Sequence, residues 1–247
     1  MTTAPRKEQW LEPGVALIAT ALAGLAAFWW LAIPTPAVML AVAVFATIVV
    51  AVGLRVPAPG PRHCGIGPAN RVTLLRGVLI AGLAGLLPYP ELAGDHALSL
   101  LAIAALALIL DGADGWLARR HGIESDFGAR FDMELDAVFI LVLCLLVWLL
   151  GQTGPWVLLI GLMRYAFVLA GWLQPILRRP LPPSRRRKAV CVLQVGALMV
   201  CLAPIVPPYA ATVIAATALA ALSVSFALDV RWLLRHAGPT AATEGTS

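Results

Sequence analysis

Apolar runs of similar length, divided by short clusters of proline, glycine and charge, occupy almost the whole chain. They cover about residues 13 to 33, 36 to 54, 70 to 88, 96 to 119, 128 to 150, 154 to 177, 187 to 204 and 208 to 234. A helix needs about 20 predominantly apolar residues to cross roughly 30 Å of hydrocarbon, and each run approaches that length. The pattern predicts an all-α polytopic membrane protein with eight transmembrane helices. The divisions carry helix-breaking chemistry: Pro34 and Pro36, the stretch from Pro57 to Pro68, Pro88 and Pro90, Gly154-Pro155, Pro180 to Pro183, and Pro207-Pro208.

Composition agrees with that pattern. Of the 247 residues 60% are hydrophobic, and the mean hydropathy of +0.88 is far above that of a soluble domain of this size. One membrane domain is expected, with no room for a folded soluble one. Arg6 and Lys7 precede the first run as they would in a secretory signal. That run of about 20 residues is longer than a typical signal core, so it is read as a retained helix. Cys64, Cys144, Cys191 and Cys201 are widely spaced without a CxxC pair, which indicates neither a zinc site nor a disulfide framework, only reduced buried thiols.

The net charge of +5 is explained by topology. Basic residues fall around alternate connections, between the runs or near their ends: Arg6 and Lys7; Arg55, Arg62, Arg71 and Arg76; Arg119, Arg120 and Arg130; Arg178, Arg179, Arg185, Arg186, Arg187 and Lys188; Arg231 and Arg235. The opposite connections, near residues 35, 92, 152 and 206, hold no Lys or Arg, and Trp29, Trp30 and Trp156 sit where an aromatic belt belongs. The positive-inside rule therefore predicts an integral protein of the inner, cytoplasmic membrane with both termini cytoplasmic. No aromatic-basic surface motif accompanies the charge, so nucleic acid is not an expected partner.

Arg164 stands inside a predicted span, where a charge is expensive unless it faces the bundle or water. It serves either an anionic substrate or a structural ion pair. The basic run from Arg178 to Lys188 has two readings as well. It enforces topology, or Arg185, Arg186 and Lys188 recruit a phosphorylated acceptor or anionic lipid head groups.

Seven of the chain's 13 acidic residues fall between positions 111 and 136: Asp111, Asp114, Glu124, Asp126, Asp132, Glu134 and Asp136. Asp111 and Asp114 share one helix face by their spacing of three, and Asp132 and Asp136 another by their spacing of four. The short connection from about Arg120 to Phe127 predicts an antiparallel hairpin that lets the two faces converge. Gathered carboxylates repel one another unless a multivalent cation sits among them. Oxygen-only ligands favour Mg2+ or Mn2+, and two such ions would clamp a phosphoryl group. With His121 in the loop, no His or Cys lies at ligand spacing in the group, which argues against zinc. Gly112, Gly115 and Ala118 strip side chains from part of the same helix, suiting close helix packing or the approach of a large ligand. Arg119 beside them favours a phosphate-bearing ligand.

Asp111-Gly112-Ala113-Asp114-Gly115-Trp116-Leu117-Ala118-Arg119, followed after eight residues by Gly128, then Asp132 and Asp136 at intervals of four, resembles the CDP-alcohol phosphotransferase signature, DxxDGxxAR, eight residues, GxxxDxxxD. All its fixed positions match. Asn70, Thr73 and Arg76 resemble an N-x-x-T-x-x-R pattern of many members. They read equally as a helix start with interfacial cations or as lining of a nucleotide pocket. The resemblance implies a six-helix catalytic core over residues 70–236. Ahead of it come the N-terminus with two additional transmembrane helices (1–56) and a Pro/Gly-rich cytoplasmic linker (57–69); a disordered cytoplasmic tail (237–247) follows. The surface amphipathic helix usual before the core is not expected from residues 55 to 69.

The resemblance also implies a reaction and roles. A CDP-alcohol, most often CDP-diacylglycerol, donates a substituted phosphoryl group to an acceptor hydroxyl, releasing CMP. Asp111, Asp114, Asp132 and Asp136 would hold two Mg2+ or Mn2+ ions, with Asp136 also the general base. Gly112, Gly115, Ala118, Arg119 and Gly128, with Asn70 and Thr73, would hold the CDP moiety. Glu124, Asp126 and Glu134 lie outside the signature and read as loop or face-satisfying charges. The leading acceptor is glycerol 3-phosphate, with inositol phosphate, serine and phosphatidylglycerol as alternatives. Homodimers are common in the family. A reading from another class, a transporter passing cations along intramembrane carboxylates, is disfavoured by the glycines and arginine at motif spacing and by the scarcity of acids on other spans beyond Asp229.

Overall fold

The computed structural model describes residues 34–53, 68–121, 126–178, 182 and 184–236. The predicted first span, most of the Pro/Gly-rich linker, the tip of the acidic hairpin and the C-terminal tail lie outside these residues. Among the described residues the regular structure is helical throughout. The α-helices are α1 (Thr35–Gly53), α2 (Pro68–Gly85), α3 (Pro90–Asp95), α4 (Ala97–His121), α5 (Asp126–Leu149), α6 (Leu158–Leu173), α7 (Arg185–Leu202) and α8 (Pro208–Arg235). Single 3-10 turns at Pro155–Val157 and Pro175–Arg178 flank α6.

The punctuation anticipated from proline and glycine is what bounds these helices. Pro68, Pro90 and Pro208 each open one, where the missing N–H costs nothing because no intrahelical partner exists at the first position. Gly151 ends α5 with a φ of 72°. The Gly151 N–H reaches the Trp148 carbonyl at 2.9 Å and the Gln152 N–H reaches Val147 at 3.1 Å, the paired bonds of a left-handed glycine cap. The predicted spans beginning at residue 36 and beyond each coincide with a helix. The short α3 falls where only a connection was expected. It is far too short to span a bilayer, and it seats Ala93, 1% exposed, in the core.

Among the described residues two segments are long and apolar enough by themselves to cross a membrane, Pro155–Leu173 and Pro208–Arg235, and only 22% of the most apolar stretch of each is buried. Shorter apolar stretches occupy Thr35–Ile48, Val72–Gly85 and Ala97–Gly112. Trp172, Leu173, Ile205 and Tyr209 point outward with most of their surface uncovered. Apolar surface on that scale is unfavourable against water and suits lipid.

The interior is built where α2, α4, α5 and α7 meet: α4 and α5 both pack on α2 and on α7. Helical spacing explains which residues face inward. Ile80 and Leu83 come from α2, Leu100, Ala104 and Ala107 from α4, Leu135, Phe139, Leu143 and Leu146 from α5, and Leu198 and Leu202 from α7. Outside this group, α1 lies along α2, α8 along α7, and α6 along α5. Close approach is set by glycine at two of these seams. A Cβ on Gly85 would stand 2.5 Å from the Ala37 carbonyl oxygen of α1, and one on Gly161 would stand 2.9 Å from the Leu141 Cα of α5.

Gly85→Ala is therefore expected to push α1 from α2 and lower the stability of the detergent-solubilised protein by about 1–3 kcal/mol, as overpacking does. Gly82→Ala, where the added Cβ meets nothing within 4 Å, is expected to leave the melting temperature unchanged or raise it, since alanine favours helix by about 1 kcal/mol over glycine. Thermal unfolding of the two variants side by side checks both.

Candidate active site

The inward stripes of three helices continue from apolar into charged residues at one end of the bundle. On α4 the series Leu100, Ala104, Ala107 reaches Asp111; on α5 the series Leu143, Phe139 runs back to Asp136 and Asp132; on α2 the series Leu83, Ile80 runs back to Arg76. Spacings of three and four keep each charged residue on the face its helix buries. Packing that places the leucines in the core thus also aims three carboxylates and one guanidinium at a common point.

At that point Arg76 is 1% exposed, while the side chains of Asp111, Asp132 and Asp136 are 30%, 40% and 29% exposed. Arg76 donates from Nη1 to Asp132 Oδ1 at 2.5 Å and from Nη2 to Asp136 Oδ1 at 2.6 Å. The same Nη1 lies 2.8 Å from Asp111 Oδ1. One oxygen from each of the three aspartates lies within 4.8 Å of the others. Three carboxylates around one guanidinium leave negative charge in excess, in a setting where like charges interact strongly.

The donor set fits a hard divalent cation. It is oxygen only, it converges from two helices, and it already holds a positive group, so the cluster demands cationic charge. A small cavity touches it, lined by Arg76, Leu108, Asp111, Asp136, Phe139 and Cys191 among others. Gly112, next to Asp111, is exposed, and a Cβ there would meet nothing within 4 Å. That open space beside the carboxylates can admit a bulky ligand.

The other expected site residues are distributed as follows. Asp114, Gly115, Ala118 and Arg119 continue α4 as helix, Asn70 lies in the first turn of α2 and Gly128 in that of α5; their side chains are outside the described set. Thr73 is buried one turn before Arg76, at 5% exposure. Arg164 on α6 donates from Nη2 to Glu134 Oε1 of α5 at 2.9 Å. Of its two readings, the ion pair is the one present, and Glu134 is more than a charge on a solvated face. Arg185 and Lys188 are exposed at the start of α7. Arg186 instead turns inward, donating from Nη1 to the Ser225 carbonyl at 2.6 Å and to Ser225 Oγ at 2.9 Å, and from Nη2 to Asp229. Arg187 approaches the same Asp229 at 3.6 Å.

Arg76 had two readings, an interfacial cation at a helix start or part of a pocket lining; at 1% exposure it is no interfacial cation but the most buried described member of the site. A signal was present: Arg76 follows Thr73 by three and precedes Ile80 by four and Leu83 by seven, the spacing of the buried face of α2. Asp229 was likewise noted only as an isolated acid, because its partners Arg186 and Arg187 lie on another helix.

Comparison with known proteins adds to this geometry. The family model described as CDP-alcohol phosphatidyltransferase matches residues 68–228. Proteins from two strains of Mycobacterium tuberculosis, both described as "Probable phosphatidylglycerophosphate synthase", are each 32% identical over 165 residues, covering 65% of this chain and 78% of theirs. No solved structure gives a significant match.

The Arg186 contacts predict a structural role separable from the exposed cations beside it. Arg186→Met leaves the Asp229 carboxylate, 12% exposed, with a poorer partner, and is expected to cost about 1–3 kcal/mol. Arg185→Ala and Lys188→Ala, as surface changes, are expected to stay within about 0.5 kcal/mol. Denaturation midpoints of the three purified variants give the comparison.

Proposed function

This chain belongs to the CDP-alcohol phosphatidyltransferase family and is a transferase of phospholipid head-group synthesis, and on that premise we propose that it transfers the phosphatidyl group of CDP-diacylglycerol to the hydroxyl of glycerol 3-phosphate in a divalent-metal-dependent reaction. The observation that carries this reading is the convergence of Asp111, Asp132 and Asp136 within 4.8 Å, at the positions where the signature places its aspartates. The name of the mycobacterial relatives supports glycerol 3-phosphate as acceptor. Inositol phosphate, serine and phosphatidylglycerol are the alternatives.

Asp111, Asp132 and Asp136, with Asp114 from the same helix as Asp111, would hold Mg2+ or Mn2+. When bound, such ions would neutralise the charge of the pyrophosphate and of the transferring group. The open flank at Gly112, continued in the sequence by Gly115 and Ala118, would admit the CDP moiety, with Arg119 and Gly128 beside it and Asn70 and Thr73 from α2. Asp136 would take the proton of the acceptor hydroxyl. The acceptor oxygen forms its bond to the lipid-bearing phosphorus as the bond from that phosphorus to the CMP oxygen breaks, and CMP leaves with the electron pair. Arg185 and Lys188 at the start of α7 would draw a phosphorylated acceptor toward the site. Eight transmembrane helices with the carboxylates at the cytoplasmic surface would let a soluble nucleotide meet a lipid tail.

Purified protein mixed with CDP-diacylglycerol, glycerol 3-phosphate and Mg2+ or Mn2+ is expected to release CMP and form phosphatidylglycerophosphate, and chelation is expected to stop both. Absence of CMP with every acceptor named above would refute the proposal. Asp136→Asn is expected to lower turnover about 10²–10⁴-fold, the range for loss of a general base, with metal-dependent retention of the CDP donor kept. Equal loss of donor binding and turnover would make Asp136 chiefly a ligand.

A further inference from the structure

Arg76 enters the carboxylate cluster from the inside of the bundle. It is 1% exposed, whereas the three aspartates it touches keep between 29% and 40% of their side-chain surface open. Its ion pairs with them run to Oδ1 of each carboxylate, at 2.8, 2.5 and 2.6 Å. A carboxylate has two oxygens and about four lone-pair sites, so one ion pair to Oδ1 leaves capacity for a ligand arriving from the exposed side.

The guanidinium is itself held in place. Its neighbour Gly77 lies against the ring of Phe45 on α1, and a Cβ there would meet that ring at 3.2 Å. Phe45 is fully buried. The backbone that carries Arg76 is therefore wedged between α1 on one side and α4 and α5 on the other. A planar fork with several donors can serve Asp111 and Asp132 from Nη1 and Asp136 from Nη2 at once; a lysine ammonium, a point charge on a flexible stem, has no such geometry.

We propose that Arg76 is the positioning residue of the metal site: a cationic floor that draws the carboxylates of α4 and α5 together before any metal arrives and stays beneath them, hydrogen-bonded to their Oδ1 atoms, once the site is loaded. Without that floor Asp111, Asp132 and Asp136 repel one another and splay toward water, and a metal must then reassemble them. Groups that orient metal-ligating side chains in this way typically contribute about 10–100-fold to metal affinity. The opposing arrangement is a placeholder cation that occupies the metal position and leaves on loading. It predicts the reverse effect, since removing a competitor tightens binding. The burial difference favours the floor.

This inference rests on the metal reading of the site, and its test measures metal binding rather than turnover. Mn2+ is titrated into the full-length wild-type protein and the variants Arg76→Met and Arg76→Lys in detergent micelles. Free Mn2+ is read by electron paramagnetic resonance, and thermal unfolding is followed with and without the ion. Arg76→Met is expected to bind Mn2+ about 10–100-fold more weakly and to melt at lower temperature without metal; Arg76→Lys is expected to fall between it and wild type. Arg76→Met binding as tightly as wild type, or more tightly, overturns the proposal. If Arg76→Met does not fold, Arg76→Lys decides, and wild-type affinity in that variant overturns it. Failure of the wild-type protein itself to bind Mn2+ would instead remove the metal reading, and this inference with it.

Discussion

A buried guanidinium surrounded by carboxylates is costly to assemble and costlier to break. Taking Arg76 out of water demands compensation that one ion pair rarely supplies, and removing the partner of a buried charge typically costs about 3–5 kcal/mol. Here three aspartates from two helices share the compensation. The contact joins α2 to both α4 and α5, and its α5 partners lie 56 and 60 residues further along the chain. Much of the remaining architecture keeps that contact in place. The leucine and alanine stripes set the rotation of each helix, and glycines at the seams let neighbouring helices approach closely enough to wedge α2.

The same economy appears at the other charged residues within the bundle. Arg164 meets Glu134 between α6 and α5, and Arg186 meets Ser225 and Asp229 between α7 and α8. An apolar surround offers an isolated charge no water, so charge inside such a bundle is paired or reserved for a ligand. That divides the basic residues into two kinds. Arg76, Arg164 and Arg186 act between helices, whereas Arg185 and Lys188 remain exposed at the start of α7. A run of adjacent cations in the sequence is thus split by helical rotation into Arg186 and Arg187, turned toward Asp229, and the exposed Arg185 and Lys188.

Family membership and the geometry bear on different parts of the function. Membership makes the chain a transferase acting on a CDP-alcohol. Within the described residues three aspartates of the signature, Asp111, Asp132 and Asp136, converge on one point at the end of the bundle core, where the proposed chemistry would be housed.

The sequence by itself determined the helices and the signature. Apolar length and proline or glycine punctuation depend on neighbours in the chain, so the long helices from Thr35 onward were legible without any tertiary information. The aspartates were legible for the same reason, since Asp111, Asp132 and Asp136 belong to a local spacing pattern. Ionic partnership is decided differently. Whether Arg76 is an interfacial cation or a buried floor, whether Arg164 serves a substrate or Glu134, and whether Arg186 faces solvent or Asp229 all depend on how distant helices are rotated against one another. Burial of the apolar stripes sets that rotation, and only the tertiary structure expresses it. The short α3 belongs with these, because six residues are too few to hold a helix alone and Ala93 does so only by packing in the core. The carboxylates of the signature were thus readable from their spacing, and the burial of Arg76 from its place on the apolar stripe of α2, but the ion pairs between them were not.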